Sequence, residues 1–207
     1  STSVLVGLSL TNGYTTINGG GGIRIENSNP RLKNLKVFSN FANIGGGGIS
    51  CEACDSRITN VTINNNSSSG KGGGIRIFNG SNPELINVVI NSNSSTEQGG
   101  GISIEGLPGN SIDLDFDRLT VQENTSATVG GGIYLYISKL NLSRAFLIKN
   151  SASTKGGGIS IEWDSDLTIE NSFILGNTLT AGDQGSNIYI GKSDQIIGST
   201  EKLQAIN

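Results

Sequence analysis

The tetrapeptide Gly-Gly-Gly-Ile returns along the whole chain, with its Ile at 23, 49, 75, 102, 133 and 159, and a degraded copy, Gly-Ser-Asn-Ile, ends at Ile188. The successive spacings are 26, 26, 27, 31, 26 and 29 residues. A unit this short buries no core by itself, so each copy must use its neighbours as its apolar partner, and the chain reads as a solenoid.

Within a repeat the residues after the glycines alternate, as in Ile23-Arg24-Ile25-Glu26 and Ile102-Ser103-Ile104-Glu105. Period two marks a strand with one buried face. A second apolar segment follows a corner, for example Ile58-Thr59-Asn60-Val61-Thr62-Ile63. No stretch has a helical period long enough for a crossover helix, which disfavours leucine-rich and helical repeats. Stacking such coils in parallel register, ~4.8 Å apart, gives an all-β parallel β-helix of about seven coils, roughly 26 residues each, in one domain spanning 1–207.

The repeat aligns residues into columns. Ile23/Ile49/Ile75/Ile102/Ile133/Ile159/Ile188 and Ile25/Cys51/Ile77/Ile104/Leu135/Ile161/Ile190 point inward. At ~1.5–3 kcal/mol per buried aliphatic side chain these stacks form a major part of the core. Asn40, Asn66, Asn93, Asn124, Asn150 and Asn177, with Gly13 ahead of them, form a polar column. Asn tolerates left-handed backbone and its amides hydrogen-bond along an axis, so this column reads as a turn ladder, not a catalytic set.

The pairing of Gly-Gly-Gly-Ile with a preceding Asn-Ser-Ala, as in Asn150-Ser151-Ala152 before Gly156, and the opening Gly7-Leu8-Ser9-Leu10-Thr11-Asn12-Gly13 carry a resemblance. The chain resembles the right-handed parallel β-helices of the pectate-lyase-like superfamily, and in particular the repeats of polymorphic outer-membrane proteins and bacterial surface adhesins. The resemblance implies a right-handed coil and an exported, extracellular or cell-surface setting. Its activities range from lyases and hydrolases to passive stalks, so it fixes architecture rather than chemistry.

A net charge of −3 gives no basic footprint for nucleic acid, and no run of ~20 apolar residues is present to span a bilayer. Methionine is absent and the chain opens inside a coil, which suggests a fragment of a larger exported protein. Cys51 replaces an Ile of an inward column and Cys54 falls at the next corner; two semi-buried thiols and a local disulfide both fit. The chain has no His, so this pair lacks the further ligands of a zinc site and a Ser-His nucleophile is excluded. The glycine runs lack the Gly-Lys-Ser/Thr ending of a phosphate loop. The column Lys36, Thr62, Val89, Thr120, Phe146, Phe173 is too irregular for a flat threonine ladder.

In enzymes of the superfamily the substrate groove follows outward side chains. Here one outward column reads Arg24, Ser50, Arg76, Ser103, Tyr134, Ser160, Tyr189 and the next Glu26, Glu52, Phe78, Glu105, Tyr136, Glu162. Tyr134, Tyr136 and Trp163 are candidate glycan-binding residues, since aromatic rings stack on sugars. Glu105 and Glu162 flank Tyr136 two coil steps apart, ~9–10 Å at the backbone, near the upper end of the ~6.5–9.5 Å carboxyl spacing of inverting glycosidases. The enzyme alternative is therefore a polysaccharide hydrolase with Glu162 as acid and Glu105 as base, or a calcium-assisted lyase. Asp113, Asp115 and Asp117 put three carboxylates on one strand face, hard oxygen ligands suited to calcium. Ladders of Asp113 with Lys139 and Asp166, and of Asp117 with Arg118 and Arg144, account for the same residues without a metal. The lyase also lacks a base, because Arg24 and Arg76 sit in distant coils. Phe146 and Phe173 form an apolar patch expected to meet a partner. Open coil ends invite a homo-oligomer or filament. The leading reading is a non-catalytic structural or adhesin-type β-helix, with no required cofactor and a polysaccharide or cell-surface ligand as its expected partner.

Overall fold

In the computed structural model, residues 3–191 and the backbone of Gln195–Ile196 are described, and among them every regular element is a strand. Each coil visits three parallel sheets in turn. The first sheet, seven-stranded, stacks Ile23–Glu26, Ile49–Glu52, Ile75–Phe78, Ile102–Glu105, Ile133–Tyr136, Ile159–Glu162 and Ile188–Ile190. The second, twelve-stranded, holds the longer segments, among them Arg57–Asn64, Glu84–Asn91 and Ile112–Gln122. The third, seven-stranded, is built of dipeptides from Tyr14–Thr15 to Thr178–Leu179. Within the three sheets all described pairing is parallel and in the register that the glycine repeat predicts, for example Ile75↔Ile102 and Ile104↔Leu135. The fold is a parallel β-solenoid of about seven turns.

The interior is a file of aliphatic columns. Ile49, Ile75, Ile102, Ile133 and Ile159 are fully buried, as are Ile58, Leu85, Val121 and Leu147 across the coil. At the two ends the same columns open, with Ile23 and Ile188 half-buried and Ile190 41% exposed.

The three glycines of each triplet meet different constraints, as the coil at 72–74 illustrates. Gly72 has φ +66°, a left-handed turn that a side chain resists. A Cβ on Gly73 would lie 2.4 Å from the Ser94 carbonyl oxygen and 2.5 Å from that of Gly100. A Cβ on Gly74 would press on the Gly101 carbonyl at 2.7 Å and on the ladder amide of Asn93 at 3.1 Å. The triplet is thus the point where backbone of one coil rests directly on backbone of the next.

The asparagine ladder forms as expected, with one correction. Each ladder Nδ2 donates to the Oδ1 of the next ladder Asn at 2.9–3.0 Å, from Asn40 through to Asn177. Each also donates to a main-chain carbonyl, such as Val37 for Asn66 and Ile90 for Asn124. The left-handed residue is not the ladder Asn but its predecessor: Ser39, Asn65, Ser92, Glu123, Lys149 and Gly176 all have φ between 53° and 64°. The asparagines are chosen for their paired donor and acceptor, which exhaust each other inside the core.

The cysteines also resolve. Cys51 and Cys54 are joined by a disulfide and both are fully buried, so the reading as two thiols is set aside. The bridge fills the position of an Ile in its column and ties the strand to the corner that follows it.

Candidate functional site

The outer face of the first sheet carries a connected set of charged and aromatic side chains. Register places Phe78, Glu105, Tyr136 and Glu162 in one column, as expected, with Glu105 and Glu162 on either side of Tyr136. The neighbouring column departs from expectation. Ser50, Ser103 and Ser160 are 3%, 0% and 0% exposed and Tyr134 only 5%. The glycine-bearing loops lie against it: Cβ atoms on Gly19, Gly45 and Gly130 would meet Ser50 Oγ, Arg76 Cδ and Tyr134 Cβ within 2.7–3.0 Å. Tyr134 therefore supports the aromatic strip from below rather than presenting a ring to solvent.

The strip itself is Tyr136 and Trp163. Tyr134 stacks on Tyr136 with ring centroids 6.5 Å apart, and Tyr136 meets Trp163 at 6.5 Å with the rings tilted by 52°. Trp163 is 66% exposed. It occupies the corner just after the strand, at φ 51°, where other coils place Asn27, Ala53 and Asn79. Ile137 holds the same corner at φ 48° in its coil, an outlier for a β-branched residue. Left-handed geometry at two bulky residues is costly, and here it falls at Trp163 itself and at Ile137, directly after the half-buried Tyr136.

Charge on this face is paired throughout. Arg24 bridges Glu26 and Glu52 at 2.9 and 3.3 Å. Glu105 receives Lys71 Nζ at 2.8 Å, Arg76 Nε at 2.9 Å and the Ser103 hydroxyl at 3.1 Å. Lys155 lies 3.8 Å from Glu162 and over the ring of Tyr189. Burial by itself would raise the Glu105 carboxyl, but the hydrogen bonds and charges of Arg76 and then Lys71 outweigh it and hold it below the ordinary carboxylate range. A carboxylate so held is a poor proton acceptor.

Around Glu105 the surface sinks into a depression of about 460 Å³ lined by Lys71, Arg76, Phe78, Leu107 and Tyr136 among others. Its rim comes from the insertion at 106–110, closed by reciprocal backbone hydrogen bonds between Leu107 and Asn110. Sequence reasoning put Glu105, Arg76 and Phe78 on the outward columns but missed Lys71 and the pairing of both cations with Glu105. The signal for Lys71 was present, since a Lys directly precedes the glycine triplet here and again at Lys155.

The three aspartates alternate along Ile112–Gln122 and project from one face, each toward its own partner. Asp113 stacks on Lys139, which reaches Asp166 at 3.8 Å. Asp115 accepts from Asn141 Nδ2 at 2.8 Å. Asp117 is bound by Arg144, Arg118 and the Ser143 hydroxyl, and the Arg144 hydrogen bond, set against slight desolvation, holds its carboxyl below the usual range. Among the described residues no three carboxylate, Cys or His side chains converge as a metal-binding group. Phe146 and Phe173 stack at 5.5 Å on the second sheet and are 43% and 42% exposed.

A family model described as a right handed beta helix region matches residues 7–174 of the chain. No curated protein and no solved structure matches it.

Proposed function

Because the chain belongs to the right-handed β-helix family, whose shared feature is a scaffold and not a reaction, we propose that it is a non-catalytic extracellular structural or adhesin-type domain that binds glycan along the Tyr136–Trp163 strip. The observation that carries this reading is the combination of a 66%-exposed Trp163 beside Tyr136 with an outward column whose carboxylates, Glu26, Glu52, Glu105 and Glu162, each lie against a cation. An aromatic platform beside carboxylates so engaged binds sugars and leaves the glycosidic bond intact. The buried Cys51–Cys54 disulfide supports an oxidising, exported setting. The Phe146–Phe173 pair is a second contact surface in the same reading, apolar enough to meet a protein partner.

The register of Glu105 and Glu162 around Tyr136 keeps one competing reading, an inverting hydrolase. Both are tested by incubating the chain with a panel of immobilised polysaccharides and assaying retention and reducing-end release together. Retention without release, weakened about tenfold by Trp163→Ala, is the expected result. Release that disappears in Glu162→Gln would replace the binding module with the enzyme.

A further inference from the structure

The second sheet carries positive charge that no carboxylate among the described residues offsets. Arg31 and Lys33 stand outward on the strand Arg31–Lys33, Lys36 follows outward on Lys36–Phe38, and all three are exposed. Elsewhere cations sit against carboxylates, as Arg24, Lys71, Arg76 and Arg144 do, and Lys139 lies in register between Asp113 and Asp166. Among the described residues Arg31, Lys33 and Lys36 form no ion pair. The register gives the reason. Val4 and Arg57 flank Arg31 in the coils before and after it, Val6 and Thr59 flank Lys33, and Ser9 and Thr62 flank Lys36. Arg57 is itself bound to Glu84 at 3.1 Å, the first carboxylate in these columns. Like charges directly opposite in a ladder repel, so Arg31 beside Arg57 is an arrangement that an added anion would relieve.

Between Lys33 and Lys36 the chain turns left-handed at Asn34, and Asn60 and Asn87 hold the same corner in the next two coils. Asn87 Nδ2 donates to Asn60 Oδ1 at 2.9 Å and Asn60 Nδ2 to Asn34 Oδ1 at 3.2 Å, an exposed counterpart of the core ladder. Its donors point toward the coil of the cations. The coil before supplies Gly7 at this corner, which brings no side-chain acceptor for Asn34. Asn34 Nδ2 therefore ends the series as a neutral donor between two lysines, and all three groups suit an oxyanion. The shape of the row selects the ligand. It follows one coil over an open face for roughly 15 Å, so a small anion would meet one cation where a charged polymer meets several. Arg31 and Lys33 are two residues apart, ~6.6 Å along the strand. An extended glycan turns successive residues to opposite sides, so a polymer with one charge per residue presents charge to a flat face only at alternate residues. A polymer with more than one sulfate per residue matches the closer spacing.

We infer that the row from Arg31 to Lys36 is a docking surface for a densely sulfated polysaccharide, on a different sheet from the Tyr136–Trp163 strip and independent of it. The test is the fluorescence anisotropy of labelled dextran sulfate, polygalacturonate and uncharged dextran, each titrated with the full chain. Titrations are run at about 0.1 M NaCl and at about 1 M, where exposed charges are screened within ~3 Å. Binding of dextran sulfate that exceeds that of polygalacturonate, is absent with dextran and vanishes at high salt is expected. Arg31→Gln, Lys33→Gln and Lys36→Gln should each weaken it about two- to fivefold. Lys149→Asn, which removes an exposed cation four coils away, and Trp163→Ala should leave it unchanged. Thermal midpoints should not fall in the three row variants, and in Arg31→Gln the loss of repulsion should hold or raise it. Midpoints that fall in step with affinity would assign the row to folding and overturn the site. Equal weakening in Lys149→Asn would do the same, since any surface cation would then serve. So would polygalacturonate or a DNA duplex bound as tightly as dextran sulfate, or no binding of any polyanion. Val4 and Val6, 57% and 52% exposed beside the row, make an anionic membrane the rival occupant. Binding to phosphatidylserine vesicles without binding to dextran sulfate would give the row to that rival.

Discussion

At the scale of single residues, Glu105 shows how a surface column becomes a fixed structure. Its carboxylate accepts from Lys71, Arg76 and Ser103, and its side chain is only 13% exposed. The folded-state pKa therefore lies below its ordinary 4.5, and the stability this adds is present above that value and is lost as pH falls through the folded pKa. Glu105→Gln should cost about 1–3 kcal/mol at neutral pH, because two partly buried cations lose their partner, and should flatten the acid limb of stability against pH. Urea unfolding at a series of pH values between neutrality and the acid limb checks both; an unchanged acid limb would mean that the pairing contributes nothing to folding. The outward placement of Glu105 and Tyr136 was legible from period-two alternation alone, and so was their shared column. The burial of Tyr134 was not, because alternation tells inside from outside but is blind to a glycine loop folding back over the outside. Burial is equally complete at Asn66, Asn93 and Asn124, each the first residue of an Asn-X-Ser/Thr triplet: they are 0–1% exposed, with their amides held in the ladder.

At the scale of the coil, two devices set how closely one turn can lie on the next. The glycine triplet is the first, and its middle member is the most demanding. Gly73→Ala forces a methyl into two carbonyl oxygens at 2.4–2.5 Å, both backbone, so neither can rotate away. A loss of about 3 kcal/mol or more is expected in chemical unfolding, since the neighbouring coil must shift bodily. The recurrence of the triplet was the plainest signal in the chain, but its division of labour among turn, backbone contact and ladder contact needed coordinates. The Cys51–Cys54 disulfide is the second device, local to one corner. Closing so short a loop contributes about 2 kcal/mol through the unfolded chain. Since both sulfurs are fully buried, reductant should leave the native protein intact and lower its unfolding midpoint only once the chain has opened. Rapid thiol labelling of the native protein after mild reduction would contradict that. Spacing alone could not choose between bridge and thiols, because an inward Cys packs as well in either form.

At the scale of the molecule, the described strands of the solenoid show no long-range closure: each pairs only with strands of the coil before and the coil after, in parallel register. Stability is then close to a sum over coils and interfaces, and the same substitution should have different consequences along the axis. Ile104 is fully buried between Ile77 and Leu135, whereas Ile190, in the same column, is 41% exposed. Ile104→Ala opens a cavity in the centre of the stack and should cost about 2–5 kcal/mol. It also weakens both interfaces of its coil, so the array should lose cooperativity there. Ile190→Ala removes a side chain that already meets solvent, and a loss under about 1 kcal/mol is expected. Trp163, the only tryptophan, sits in the coil before Ile190 and makes the distinction measurable. In Ile104→Ala, urea transitions followed by Trp163 fluorescence and by far-UV circular dichroism should separate, as the two halves of the stack uncouple. In Ile190→Ala they should coincide, with a small common shift. Coincident transitions in both variants, with equal losses, would show that the coils fold as one unit and that the one-dimensional description fails for this chain.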